Sequence, residues 1–116
     1  MAVSELLQKE MIAIAISEPG GPEVLKPVTM KVPEPAAGEV LIRVAAAGVN
    51  RPDVIQRKGH YPAPPGASPL PGLEVSGTVV ALGEGVGPEW IGRRICALTN
   101  GGGYAEYCVA PVGQCL

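Results

Sequence analysis

The chain contains no phenylalanine, one tryptophan and three tyrosines, so any core it builds must be aliphatic. Its three cysteines, Cys96, Cys108 and Cys115, form no C-x-x-C pair. An odd, scattered set argues against a disulfide framework and against a compact zinc knuckle. It fits reduced thiols in a cytoplasmic protein. Charge is sparse and mixed: 17% of residues are charged and the net charge is −2. No basic patch favours nucleic acid, and no block of like charge suggests a tail. The apolar run MIAIAIS (11–17) lies between Glu10 and Glu18 and is too short to cross a bilayer. It reads as a strand, and no secretory signal is visible.

What the chain has in excess is punctuation. Its 116 residues include 16 Gly and 13 Pro, about twice the usual share of roughly 12%. The rest is rich in Val, Ile and Ala. Short strands joined by many turns suit this composition better than long helices. A chain of this length is one domain with a single modest core.

Along the chain, residues 1–10 form a polar leader. Strands are expected at 11–17, 28–32, 39–47, 73–82, 93–99 and 104–111. In the last of these, Tyr104, Glu106, Cys108 and Ala110 would share one face. NRPDVIQRKG (50–59) has helix signals: Asn50 or Arg51 as cap, Pro52 in the first turn, Asp53 near the N-terminus, Lys58 near the end and Gly59 as stop. HYPAPPGASPLPG (60–72) is too proline-rich for regular structure. The fold class is therefore mainly β, an antiparallel, partly open β-barrel with one or two short helices.

Candidate chemistry is limited. Asn50, Arg51 and Asp53 crowd a strand-to-helix junction, where capping is their commonest role. His60 in a loop is usually solvated, although imidazole is able to shuttle protons near neutral pH. Glu74 stands at the mouth of the apolar run EVSGTVVAL. A buried, unpaired carboxylate is costly, so Glu74 must be exposed, belong to a site, or have a partner. Arg43, Arg51, Arg57, Arg93 and Arg94 offer partners. GEGVG (83–87) lacks the G-x-G-x-x-G-to-helix context of a dinucleotide loop and reads as a hairpin turn.

Several stretches, taken in order, resemble the N-terminal GroES-like domain of the medium-chain dehydrogenase/reductase superfamily. GEVLIRVAAAGVNRPDVIQRKGHYP (38–62) has the strand, G-V-N-x-x-D, helix and G-x-Y-P of that family. PLPGLEVSGTVVALGEGV (69–86) has its P-G-x-E-x-x-G-x-V-x-x-x-G-x-x-V. GRRICALTNGGGYAEYCVAP (92–111) has its G-x-x-V and G-x-Y-A-E-Y, and EPGGPEVL (18–25) is a typical opening. The resemblance covers residues 11–116.

The resemblance implies a site. The zinc-dependent branch has a Cys where this chain has Asn50, and G-H-E where this chain has Gly72, Leu73 and Glu74. Leucine cannot ligate zinc and asparagine is a poor ligand, and a four-Cys structural cluster is absent. No metal is therefore expected, and Glu74 looks like a remnant of a lost metal site, held by an arginine or by backbone N–H groups. A zinc site of Cys96 or Cys108 with His60 has the wrong spacing. The branch that keeps G-V-N-x-x-D is the quinone oxidoreductase group, which implies NADPH as cofactor and a quinone or enone as substrate. By similarity, Asn50 and Asp53 would sit beside the nicotinamide ribose or the substrate, and Tyr61 would wall the substrate pocket. The family's Rossmann cofactor domain follows the GroES-like one and has no counterpart before Leu116. The chain is thus expected to be the substrate-side part of a longer cytoplasmic enzyme and inactive alone, with room for a homodimer. The alternative is a non-catalytic GroES-like binding or assembly module, since the fold alone does not choose.

Overall fold

Hydrophobic alternation lays out the strands. In the computed structural model, which describes residues 9–60, 65 and 67–116, β1 spans Glu10–Ile16 and pairs antiparallel with β2, Leu25–Lys31. Met11 and Ala13 point into the core while Ile12 faces out. β2 starts three residues earlier than the sequence suggests. Pro27 lies within it, opposite Ile14. Proline is tolerated there because β2 is the edge strand of a two-stranded sheet, where a missing N–H leaves no neighbour unpaired.

The second sheet has four strands in the order β5-β4-β3-β6, all antiparallel. These are β3 (Glu39–Ala47), β4 (Glu74–Leu82), β5 (Arg94–Leu98) and β6 (Tyr107–Pro111). β3 is central. Val40, Leu41 and Ile42 are all fully buried because each face of the strand meets a core. Leu41 packs with Met11, Ala13, Val32, Leu70 and Ala81. Val40 and Ile42 pack with Val75, Val79, Ile95, Ala97 and Ala110 on the other side. Each such side chain contributes about 1.5–3 kcal/mol. Register shifts at Leu41/Ile42 and Val44/Ala46 bend β3 against β4.

Single bridges connect the sheets. Ala13 bridges Ala105, and the Ile14 and Glu106 amides donate to the Tyr104 and Ile12 carbonyls at 2.7 and 3.1 Å. At the far margin Cys96 and Leu116 exchange backbone hydrogen bonds of 3.1 and 2.8 Å, so the chain's last residues cover the outer edge of β5. The sheets stay open and do not close into a continuous barrel.

One α-helix, α1 (Arg51–Arg57), lies among the described residues, with single 3-10 turns at Pro22–Val24, Pro88–Trp90 and Val112–Gln114. β6 begins at Tyr107. Tyr104 and Glu106 therefore belong to the preceding loop and do not share a strand face with Cys108. The GEGVG segment is a turn in the β4–β5 connection, as expected. Most of the polar leader lies outside the described residues. No helix among them is long and apolar enough to cross a membrane.

Candidate functional site

The site grows from the junction of β3 and α1. Asn50 is extended (φ −127°, ψ 160°) and is the N-cap of α1. Its backbone N–H donates to Asp53 Oδ2 at 3.0 Å. That is the return half of a capping box, with Asp in the third helical position. The Tyr104 hydroxyl donates to the same oxygen at 2.7 Å, and the Gly72 N–H donates to Oδ1 at 3.3 Å. Asp53 is only 4% exposed. Removing a carboxylate from water is costly, and three donors, two of them backbone amides, offset that cost. Burial, reinforced by the hydrogen bond to Asp53 and its charge, pushes the Tyr104 hydroxyl far above its ordinary range. Tyr104 is therefore a donor at any physiological pH.

Gly72 makes this crossing possible. Its φ is +104°, and a Cβ there would lie 2.7 Å from Gly103 Cα and from the Tyr104 nitrogen. The Gly103 and Tyr104 amides donate to the Gly72 and Pro71 carbonyls, both at 3.1 Å, and Thr99 Oγ1 donates to the Gly72 carbonyl at 3.1 Å. The loop before β4 and the loop before β6 thus touch backbone to backbone.

Two residues beyond Gly72, Glu74 opens β4. It is half-buried, and its Oε1 accepts a 3.0 Å hydrogen bond from Asn50 Nδ2. This corrects the expected arginine or backbone partner. A carboxylate that keeps contact with water does not need a full countercharge, and a neutral amide suffices. Two of the arginines are engaged elsewhere: Arg57 Nε donates to the Gly20 carbonyl at 3.1 Å, and the Arg93 guanidinium stacks on Trp90 at 4.5 Å. Gly48 leaves the space for Glu74, because a Cβ there would collide with the carboxylate.

Glu74 faces an open cleft of about 520 Å³ walled by Ala46, Ala47, Ser76, Cys96 and Leu98. An adjoining cleft of about 430 Å³ shares Leu98 and Gln114 and presents Gln56, Thr99 and Asn100. Apolar walls with a few convergent polar groups are the usual make-up of a small-molecule site.

The structure thus brings together Asn50, Asp53 and Glu74. Tyr61 lies outside the described residues. His60 is exposed. Cys96 is exposed while Cys108 and Cys115 are buried. Burial raises the Cys108 thiol to about 11, with the Glu39 charge adding to the rise and a Thr99 hydrogen bond opposing it. Among the described residues no three His, Cys, Asp or Glu side chains cluster as a metal site would require. The Asn50–Glu74 contact is an amide N–H donor facing a carboxylate, and an N–H has no lone pair to offer a metal. Sequence reasoning missed Tyr104, which lies 51 positions from Asp53. Its place in the G-x-Y-A-E-Y stretch was the available signal.

Residues 36–116 match the alcohol dehydrogenase GroES-like domain family. The chain belongs to that family. The GroES-like domain is 46% identical over 105 residues to a quinone oxidoreductase of Lama guanicoe, covering 89% of this chain and 32% of the relative. Among solved structures it is similar to the human synaptic vesicle membrane protein VAT-1 homolog-like protein (TM-score 0.83, 40% identity, 92% of this chain and 35% of that one). It is also similar to a mycobacterial protein solved in complex with NADPH (TM-score 0.75, 39% identity, 90% and 31%). The domain spans about a third of the length of these relatives. The likeness is to the N-terminal domain of the medium-chain dehydrogenase/reductase superfamily.

Proposed function

We propose that this domain is the substrate-side part of a cytoplasmic, zinc-independent reductase that transfers hydride from NADPH to a quinone or enone. The observation that carries the proposal is Glu74 at the wall of an apolar cleft, held there by the Asn50 side-chain amide. It supplies a polar anchor of fixed direction where a zinc enzyme would hold its metal. Without a Lewis acid the acceptor must itself be easily reduced, which favours quinones and activated alkenes over alcohols. When bound, NADPH supplies the hydride and the protein supplies orientation. Asn50 would meet the nicotinamide ribose or the substrate, as expected, and Tyr61 would wall the pocket; Asp53, expected beside Asn50 at the ribose, is buried under three donors and would hold Asn50 from beneath, and we propose Glu74 in its place. The nucleotide would be carried mainly by a Rossmann domain beyond this chain, and pairing of two copies is compatible with the fold.

The test is to express the complete reading frame that contains this sequence and follow NADPH oxidation with 1,4-benzoquinone, with and without a zinc chelator. Turnover that resists chelation is expected. Absence of turnover with quinones and enones, or its loss on chelation, would overturn the proposal. A stable ring without turnover would instead favour an assembly module.

A further inference from the structure

We propose that Tyr104 is a positioning residue: its hydroxyl, acting through Asp53, aims the Asn50 side chain at Glu74. What the aimed pair binds rests on the function proposed above, but the geometry of the aiming does not.

Four segments meet at the Asp53 carboxylate. Asn50 brings the link between β3 and α1, Asp53 the first turn of α1, Gly72 the lead into β4, and Tyr104 the loop before β6. Glu74, which lines the cleft, and Asn50, which holds it from behind, lie on opposite sides of this node. Asn50 is tied to Oδ2 by its own backbone N–H, and Glu74 lies two residues past Gly72, which is tied to Oδ1. The orientation of the carboxylate therefore sets the separation of Asn50 from Glu74. Of its three donors, Tyr104 makes the shortest contact, 2.7 Å, and it shares Oδ2 with Asn50. A short hydroxyl-to-carboxylate bond is among the stronger hydrogen bonds, and its direction is well defined. The Tyr104 backbone is itself pinned, its N–H on the Pro71 carbonyl and its carbonyl on the Ile14 N–H. The hydroxyl is thus a fixed reference point. Without it, Asp53 is free to rotate about its two longer bonds. Asn50 then follows, because the contact with Glu74 tolerates little displacement at 3.0 Å. The tyrosine acts through Asp53 and is not among the residues that line the cleft around Glu74.

The test is nitrogen-15 NMR of the 116-residue chain and two variants. Glu74→Gln locates the Asn50 side-chain amide signal in the absence of the carboxylate. Tyr104→Phe keeps the ring and removes the hydroxyl. In Tyr104→Phe the Asn50 side-chain amide is expected to move most of the way to its Glu74→Gln position, while the backbone amides of Val40 and Ile42 stay in place. The double variant should match Glu74→Gln alone, since both changes act on one contact. An unmoved Asn50 amide in Tyr104→Phe would overturn the proposal. So would a shift spread across the whole spectrum, which would mean that the hydroxyl holds the fold and does not aim Asn50. A complete reading frame that fails to reduce quinones would refute the proposed function and leave this NMR result standing.

Discussion

Two carboxylates flank the β3–α1 junction, and their surroundings differ in kind. Asp53 is 4% exposed and accepts hydrogen bonds from three donors. Glu74 keeps contact with water and accepts one, from a neutral amide. The first is fully committed to holding loops together. The second retains acceptor capacity toward a cleft. Identical chemistry thus becomes scaffold or site according to how many donors converge on it. Cys108 extends the comparison: it is buried like Asp53, but its Sγ approaches the Gly101 and Val109 carbonyl oxygens at 3.8 and 3.4 Å. Carbonyls need the thiol proton, so this buried group is held neutral.

The comparison is broken most forcefully at Asp53. Asp53→Ala leaves the Asn50 and Gly72 amides and the Tyr104 hydroxyl without their acceptor. At about 1–3 kcal/mol per stranded buried donor, the loss should be about 4 kcal/mol, measured by urea unfolding. A loss under about 1 kcal/mol would show that water replaces the carboxylate and that Asp53 is not the scaffold described here.

The buried thiol gives the next largest effect. The Cys108 pKa rises from 9.0 unfolded to about 11 folded. The neutral form is favoured by the fold, so its stabilisation is complete below pH 9 and is lost as the pH climbs through 11. The change is about 2–3 kcal/mol at about 1.4 kcal/mol per pK unit. Tyr104, also held neutral, adds to the same alkaline slope. Unfolding curves at alkaline pH should show Cys108→Ala losing less stability with pH than the parent chain. Equal slopes would mean that the thiol is not buried from solvent.

Gly72→Ala sharpens the scaffold side. A side chain at φ +104° that also meets Gly103 should cost about 2 kcal/mol and should lower the melting temperature. A neutral effect would show that the two loops separate without penalty. Glu74→Gln should be the mildest, within about 1 kcal/mol, because the half-exposed group has a single partner. A large loss of stability there would erase the distinction between site and scaffold.

Much of the frame was legible in the chain. Pro52, Asp53 and Gly59 marked α1 within a residue of its ends, and β3 lies where its Val and Ile residues indicated. These signals are local, arising from backbone restriction and side-chain alternation. The start of β2 was missed because Pro27 reads as a breaker until one knows that the strand is an edge. The alternating run YAEYCVAP points to a strand face for Tyr104 because it gives no sign of where pairing starts. Asn50 and Glu74 were both singled out, but not as partners, since a neutral amide is a weaker expectation for a carboxylate than an arginine.

Residue order alone dictates the aliphatic core, the turn-broken strands, the short capped helix and the absence of a histidine beside Glu74. All of these follow from residue identity and near-neighbour geometry. Which carboxylate is scaffold and which faces the cleft is set by the packing of the fold. That depends on donors arriving from loops 19 and 51 positions away in the chain. Such contacts are fixed by how the two sheets pack; a motif such as G-x-Y-A-E-Y marks the residue but not the partner it reaches.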